Sequence, residues 1–434
     1  MGLFGSSGIR GVVNKEFTPE LAAMIGMAAG QNAECAVVGT DSRTSGPMIE
    51  AAVSSGLMAA GCEVFSAGLV TTPTLAEAAR DMSCGVMVTA SHNPPEYGGI
   101  KLWNQDGSGF GAEQTKAIES LLHSRKFKLA PWDEVGTRHL LPEAVMNHVW
   151  RILGGVGTSK LKIVVDCANG PASNITPIVL QRMGCKVVTI NSNPDGHFPG
   201  RPPEPVDENL GDLKNAVVSM RADLGIAHDG DADRMVAVDD KGEFLGGDQL
   251  LALFAKRFAK RKVVVTVDTS MAIDDYVDAK ITRTRVGDVF VSEAVKKTRA
   301  DFGGEPSGTW IFPDQTYCPD GILASARLVE IASKKKLSEL RKDIPKYPIL
   351  RGAVTFNPKF KEMVLRNLDK AVRAVKCDEL LTLDGYRLQF ADGWALVRPS
   401  GTEPKIRTVA EARTEKRAAE IMKAMDGLVK RSCR

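Results

Sequence analysis

Three carboxylates at every second position, Asp229, Asp231 and Asp233 in Asp-Gly-Asp-Ala-Asp-Arg, repel one another unless positive charge sits among them. A hard cation that prefers oxygen ligands, Mg²⁺ or Ca²⁺, removes that penalty. The flanking runs Leu224 to Ala227 and Met235 to Val238 read as short strands, so the cluster falls in a tight loop opened by Gly230. An EF-hand also begins with alternating acids, but it needs glycine at its sixth position and glutamate at its twelfth. Arg234 and Asp240 stand there, between strands rather than helices. The remaining alternative is an ordinary solvated acidic turn.

Ser91 supplies the complementary half of a reaction. It lies in Val-Thr-Ala-Ser-His-Asn-Pro, a small-residue turn after an apolar run. His92 and Asn93 offer hydrogen-bond donors, Ala90 leaves room at the backbone, and Pro94-Pro95 stiffens the exit. A phosphoryl group on the hydroxyl carries close to two negative charges, a match for a cation held by three aspartates. A Ser-His-Asp hydrolase fits less well, because the Gly-x-Ser-x-Gly elbow is missing and adjacent Ser91 and His92 must point the same way.

Two further segments suit a phosphorylated sugar. Arg398-Pro-Ser400-Gly401-Thr402-Glu-Pro-Lys-Ile-Arg407 concentrates cations, hydroxyls and an approachable backbone amide, the composition of a phosphate cradle. Gly304-Glu305-Pro306-Ser307-Gly308 places an acid and a hydroxyl in a close-approach turn suited to sugar hydroxyls. The second segment alone reads equally as a structural turn, and a basic turn without a ligand is the lesser alternative for the first.

Taken in order, Ser6-Ser-Gly-Ile-Arg10-Gly11, Thr89 to Pro94, Asp229 to Arg234, Gly304 to Gly308 and Arg398 to Arg407 resemble the α-D-phosphohexomutase superfamily over nearly the whole chain. The resemblance implies a heart-shaped, four-domain enzyme with one element of each domain meeting in a central cleft. It implies Ser91 as the phosphoserine and the three aspartates, with Ser91, as ligands of one Mg²⁺. Arg10, Arg234 and His92 would stand near the transferring group, and Lys101 would act as general acid or base. Glu305 and Ser307 would grip sugar hydroxyls. Arg398, Ser400, Gly401, Thr402 and Arg407 would hold the phosphate that is not transferred. Thr309 occupies a position where several bacterial branches carry histidine, so no proton-transfer role transfers there. The implied reaction interconverts hexose 6-phosphate and 1-phosphate, with a hexose 1,6-bisphosphate as intermediate and activator. The loops most resemble the branch acting on glucosamine phosphates, archaeal type, with mannose or glucose phosphates next. A metal-dependent sugar phosphatase and a non-catalytic sugar-phosphate sensor are the alternatives from other classes.

The elements that must position these residues repeat. Ala36 to Arg43, Ile163 to Gly170 and Val263 to Ser270 are each a buried-type strand ending in an acidic turn, followed by a helical stretch and a second strand near Cys62, Cys185 and Lys280. Three α/β units of about 100 residues, a usual domain size, follow. Past Pro345 and Pro348 the pattern changes to helix, strands and a last amphipathic helix from Glu411 to Val429. The expected fold is three similar mixed-sheet α/β domains, 1–155, 156–246 and 247–345, and a C-terminal α+β domain, 346–434, hinged at the prolines and closing over substrate.

The chain of 434 residues carries 56 basic and 53 acidic side chains, too balanced for a nucleic-acid footprint. The runs Lys260-Arg-Lys262 and Lys334-Lys-Lys336 read as solvated turns and helix ends. Eight cysteines without a Cys-x-x-Cys pair suggest free thiols in a reducing cytoplasm. No membrane partner is expected, since no apolar run reaches spanning length. Met1-Gly2 before Ser6 is taken as part of the first motif rather than a lipidation signal. A monomer or homodimer is expected.

Overall fold

Ser91 stands just beyond the end of a strand buried on both faces, Cys84–Val88, and that placement follows from the first of four sheets. A computed structural model describes residues 3–5, 8–400 and 403–433, so Ser6, Ser7, Gly401 and Thr402, named above, lie outside the described residues. In the first sheet Cys84–Val88 runs parallel to Cys35–Thr40, which runs parallel to Glu63–Leu69. Tyr97–Trp103 and Ile9–Val12 add antiparallel strands on the other side, and Arg138–Leu140 closes the far edge. The apolar runs of the central strands match a sheet covered on both faces. Helices Pro19–Ala29 and Gly46–Ala59 cover one face, while Thr72–Ala78 covers the other.

The second sheet carries the acidic loop as the turn of an antiparallel pair, Leu224–His228 with Met235–Asp239, in which His228 sits opposite Met235. Leu224–His228 lies parallel to Lys162–Asp166, and that strand to Lys186–Ile190. In the third sheet Lys262–Thr266 is parallel to Lys280–Thr284 and Phe302–Glu305, and the last of these turns antiparallel into Thr309–Ile311. The second and third sheets share one core, in which Phe254 contacts Phe302, Trp310 and Phe312.

The three repeated strands read from the sequence are all present, and their partners begin at Glu63, Lys186 and Lys280. The C-terminal region departs from expectation in two places. It opens with a strand, Ile349–Thr355, not a helix, because this strand pairs along its length with Lys405–Ala412. The last helix is Glu415–Ser432, not one starting at Glu411, because Glu411 belongs to that same strand and sits opposite Trp394 and Ile349. Thr414 caps the helix by accepting a hydrogen bond from Arg417 N. All eight cysteines are free, and five are buried. No helix among the described residues is long and apolar enough to cross a membrane.

Candidate active site

The serine and the acidic loop meet. Ser91 Oγ donates to Asp229 Oδ2 at 2.8 Å across 138 residues of sequence, and both side chains are buried. Close approach of the two loops depends on Gly230, where a Cβ would come within 2.5 Å of the Ser91 carbonyl. Ser91 itself has φ +52°, a left-handed backbone that costs a non-glycine residue free energy and persists only where surroundings fix it.

Those surroundings are Arg43. Its guanidinium donates to the carbonyls of Ser91 (2.9 Å), Asn93 (2.6 Å), Pro94 (2.6 Å) and Tyr97 (3.0 Å), so the serine loop is wrapped around one buried cation. Asp41 balances that cation at 3.1 Å and also accepts from Thr89 Oγ1, which in turn accepts from Ser91 N. Arg201 does the same for the acidic loop. It pairs with Asp166 at 2.8 Å and donates to the carbonyl of His228, the last strand residue before Asp229. Neither arginine was singled out as a site residue from sequence. The usable signal was the repeat itself: Asp41 and Asp166 close equivalent strands, and a buried carboxylate demands a cation.

One carboxylate oxygen each of Asp229, Asp231 and Asp233 lies within 4.8 Å of the other two. Asp229 is filled by Ser91 Oγ and Arg234 N, but Asp231 Oδ1 and Asp233 Oδ1 are buried without a hydrogen bond, the latter with only the Arg234 guanidinium 4.0 Å away. Buried carboxylate oxygens without a hydrogen bond, in three clustered aspartates, suit a hard divalent cation better than any neutral ligand. Lys101 Nζ reaches the other oxygens, 2.7 Å from Asp231 and 2.5 Å from Asp233. Burial alone would lower the lysine's pKa, yet Asp231 and Asp233 outweigh it and hold the ammonium above its usual range. Burial and mutual repulsion push Asp229 and Asp233 up, whereas Lys101 and Thr72 overcome burial at Asp231 and hold it down. A bound dication would lower all three.

The other sequence candidates gather around this pair of loops. Arg10 donates to Asn93 Oδ1 at 2.8 Å. His92 Nδ1 lies 3.3 Å from Ser91 Oγ, and burial together with Arg234 and Arg10 pushes its pKa down to about 2, leaving a neutral imidazole. The Arg234 guanidinium approaches Asp233 at 4.0 Å, and Arg234 pairs through its backbone with Thr309. Glu305 accepts from Gly287 N at 2.6 Å and, more weakly, from Ser307 Oγ at 3.4 Å. Burial, then the nearby Asp288, pushes its pKa up to about 7.

A cleft of about 340 Å³ runs from Lys101 and Trp103 past Arg285, Asp288 and Phe290 to Asp384 and Arg398. It therefore joins the first, third and fourth sheets, and its volume suits a sugar phosphate. Arg398 is paired with Asp384 at 3.1 Å, and Glu403 neutralises both Lys405 (2.6 Å) and Arg407 (3.3 Å). Ser400 N donates to the Lys405 carbonyl, closing the cradle turn. Arg285, stacked 4.5 Å from the Phe290 ring, is a cleft residue that sequence reasoning missed. The signal was Gly287, between a strand and a helix, with φ +133°.

Four sequence patterns cover this chain in succession: phosphoglucomutase/phosphomannomutase alpha/beta/alpha domain I over residues 1–129, domain II over 147–242, domain III over 246–347, and the C-terminal domain over 354–428. A protein of Methanosarcina acetivorans named "Probable phosphoglucosamine mutase" is 53% identical over 435 residues, covering 99% of each chain. One of the same name from Methanosarcina barkeri is 53% identical over 421 residues, covering 95% of this chain and 96% of its own. Among solved structures, a phosphoglucomutase/phosphomannomutase family protein from Burkholderia thailandensis superposes with a TM-score of 0.87 at 28% identity, covering 99% of this chain and 97% of its own.

Proposed function

The chain belongs to the phosphoglucomutase/phosphomannomutase family of phosphohexomutases, and from that premise we propose that it interconverts glucosamine 6-phosphate and glucosamine 1-phosphate. The observation that carries the chemistry is the 2.8 Å contact of Ser91 Oγ with Asp229, next to two buried carboxylate oxygens of Asp231 and Asp233 that accept no hydrogen bond. The observation favouring an amino sugar is full-length similarity to relatives of that name, together with a buried Glu305 on the sugar loop.

Asp229, Asp231 and Asp233, with Ser91, would hold one Mg²⁺. When bound, such an ion supplies charge neutralisation and orientation for phosphoryl transfer. Arg10 and Arg234 flank the transferring phosphoryl group and complement its equatorial oxygens. A phosphoryl group on Ser91 passes to the free hydroxyl of the sugar monophosphate. Its bond to Ser91 Oγ breaks as the bond to the sugar oxygen forms, and a hexose 1,6-bisphosphate results. The bisphosphate turns over and returns its other phosphoryl group to Ser91, releasing the isomer. A hexose 1,6-bisphosphate added from outside loads the serine in the same way.

We assign Lys101, held by Asp231 and Asp233, as the general acid or base of the transfer, in which the proton lost by the attacking sugar hydroxyl is matched by the one gained at Ser91 Oγ. His92, held neutral, hydrogen-bonds to Oγ. Glu305 and Ser307 take the sugar, and Arg398, Ser400 and Arg407, with Gly401 and Thr402, take the distal phosphate. We assign domains 1–155, 156–246, 247–345 and 346–434, one to each loop of the site. Free cysteines suit a cytoplasmic enzyme acting as a monomer or homodimer on sugar phosphates.

Incubation with glucose 1,6-bisphosphate and Mg²⁺, followed by peptide mass mapping, tests this reading. The phosphoryl group is expected on the Ser91 peptide and nowhere else. A protein that turns over glucosamine 6-phosphate without ever carrying that group contradicts the mechanism.

A further inference from the structure

Asp231 is gripped from outside its own loop. Thr72, at the start of helix Thr72–Ala78 under the first sheet, donates its N–H to the Asp231 carbonyl at 3.0 Å and its hydroxyl to Asp231 Oδ2 at 2.6 Å. Both residues are fully buried. Lys101 Nζ approaches that same oxygen. The other oxygen, Oδ1, has no protein partner. One threonine thus holds the backbone and the carboxylate rotation of a single aspartate, and leaves its other oxygen buried without a hydrogen bond.

The grip is itself braced. Thr74 Oγ1, two residues along the helix, lies 3.0 Å from His148 Nδ1, and His148 Nε2 lies 3.0 Å from Asp320 Oδ2. Asp320 caps helix Gly321–Ala332 by accepting from Ile322 N and Leu323 N, each at 2.9 Å. The first residue of that helix, Gly321, donates its N–H to the Ala232 carbonyl at 3.2 Å. A Cβ at Gly321 would sit 2.7 Å from that carbonyl, so only glycine allows the approach. The loop is therefore clasped at Asp231 by one helix and at Ala232 by another, and His148 links the two helices.

We infer that Thr72 is a positioning residue for the cation site: its hydroxyl holds Asp231 Oδ2 so that Oδ1 is presented to the metal. The inference rests on the carboxylate trio being that site. Outer partners of this kind commonly contribute about 10–100-fold to metal affinity. Thr72→Val keeps the shape and the backbone N–H but removes the hydroxyl, while Thr72→Ser keeps the hydroxyl.

Calorimetric titration of Mg²⁺ into the wild-type protein, Thr72→Val and Thr72→Ser, all free of phosphate on Ser91, tests it, with thermal midpoints measured alongside. Weakening by about 10-fold or more in Thr72→Val is expected, with near wild-type affinity in Thr72→Ser. Rescue by serine separates positioning from a bulk structural role, which the midpoints report. If Thr72→Val loses cooperative unfolding, Thr72→Ala takes its place in the comparison. Equal affinity in the hydroxyl-free variant and wild type overturns the role of Thr72. Wild-type protein that binds no Mg²⁺ at all overturns instead the assignment of the trio as the cation site.

Discussion

Ser91 is held in a backbone conformation that serine tolerates poorly, and the Arg43 guanidinium is what offsets the strain. Removing that guanidinium while keeping apolar bulk, as in Arg43→Met, leaves Asp41 buried without its cation and takes a donor from each of four carbonyls. Breaking a buried pair in this way costs about 3–5 kcal/mol, so a clear drop in the thermal midpoint is expected; an unchanged midpoint means the clamp is dispensable. Ser91→Ala is expected to abolish mutase turnover with the fold intact, and circular dichroism beside an activity assay checks both halves. Glu305 gives a pH signature. Its pKa is raised to about 7, so the carboxyl is neutral below that value and ionised above it. An ammonium on the sugar prefers the ionised form, so kcat/KM for glucosamine 6-phosphate should rise as pH passes upward through about 7. Glu305→Gln should flatten that limb, and a limb that survives the substitution assigns it to another group. The reactive side chains were legible because their chemistry is written in their types: three alternate aspartates have few other uses. Thr72 was not legible, and Arg43 and Arg285 only indirectly, through the strand repeat and Gly287, because an arginine or threonine acquires its role from carbonyls and carboxylates that the fold delivers from far along the chain.

The loops owe their positions to the elements that carry them. Each reactive loop leaves the end of a central strand, and each is tied down by an arginine paired with the aspartate that closes a neighbouring parallel strand: Arg43 with Asp41 for the serine loop, Arg201 with Asp166 for the acidic loop. Arg201→Met is therefore expected to weaken Mg²⁺ binding by loosening the strand end at His228, without touching any carboxylate of the trio. Calorimetric titration checks this, and unaltered affinity shows that the loop holds its shape alone. The repeated strand, acidic turn, helix and strand were readable from hydrophobic runs and spacing, since a strand buried on both faces is a continuous apolar stretch. The C-terminal sheet was read less well. Ile349–Thr355 alternates half-buried and exposed residues at an edge, so its strand character comes from pairing with Lys405–Ala412 rather than from composition. Glu411 resembled a helix start for a related reason. Its carboxylate is buried in the strand because it accepts from Ser270 Oγ, Met271 N and Trp394 Nε1.

Those bonds form the seam between the third and fourth sheets. Arg387 lies over the Trp394 ring at 3.9 Å and donates to the carbonyls of Val267 and Thr269. The cleft has Lys101 on one wall and Arg398 on another, and the cradle cations are neutralised by Asp384 and Glu403. We propose that a bound phosphate dianion takes those cations from their carboxylates and so draws the C-terminal sheet toward the cleft. Small-angle scattering should accordingly show a smaller radius of gyration with hexose bisphosphate and Mg²⁺ than without; superimposable curves contradict closure. The four loops act as one site only if a phosphoryl group leaves one sugar position, passes through Ser91 and returns to the other. Phosphorus NMR of the protein with Mg²⁺, a trace of glucose 1,6-bisphosphate and glucosamine 6-phosphate follows that transfer directly. Growth of a glucosamine 1-phosphate resonance at the expense of the 6-phosphate is the predicted result, whereas accumulation of inorganic phosphate would show that water, not a second sugar hydroxyl, takes the phosphoryl group from Ser91.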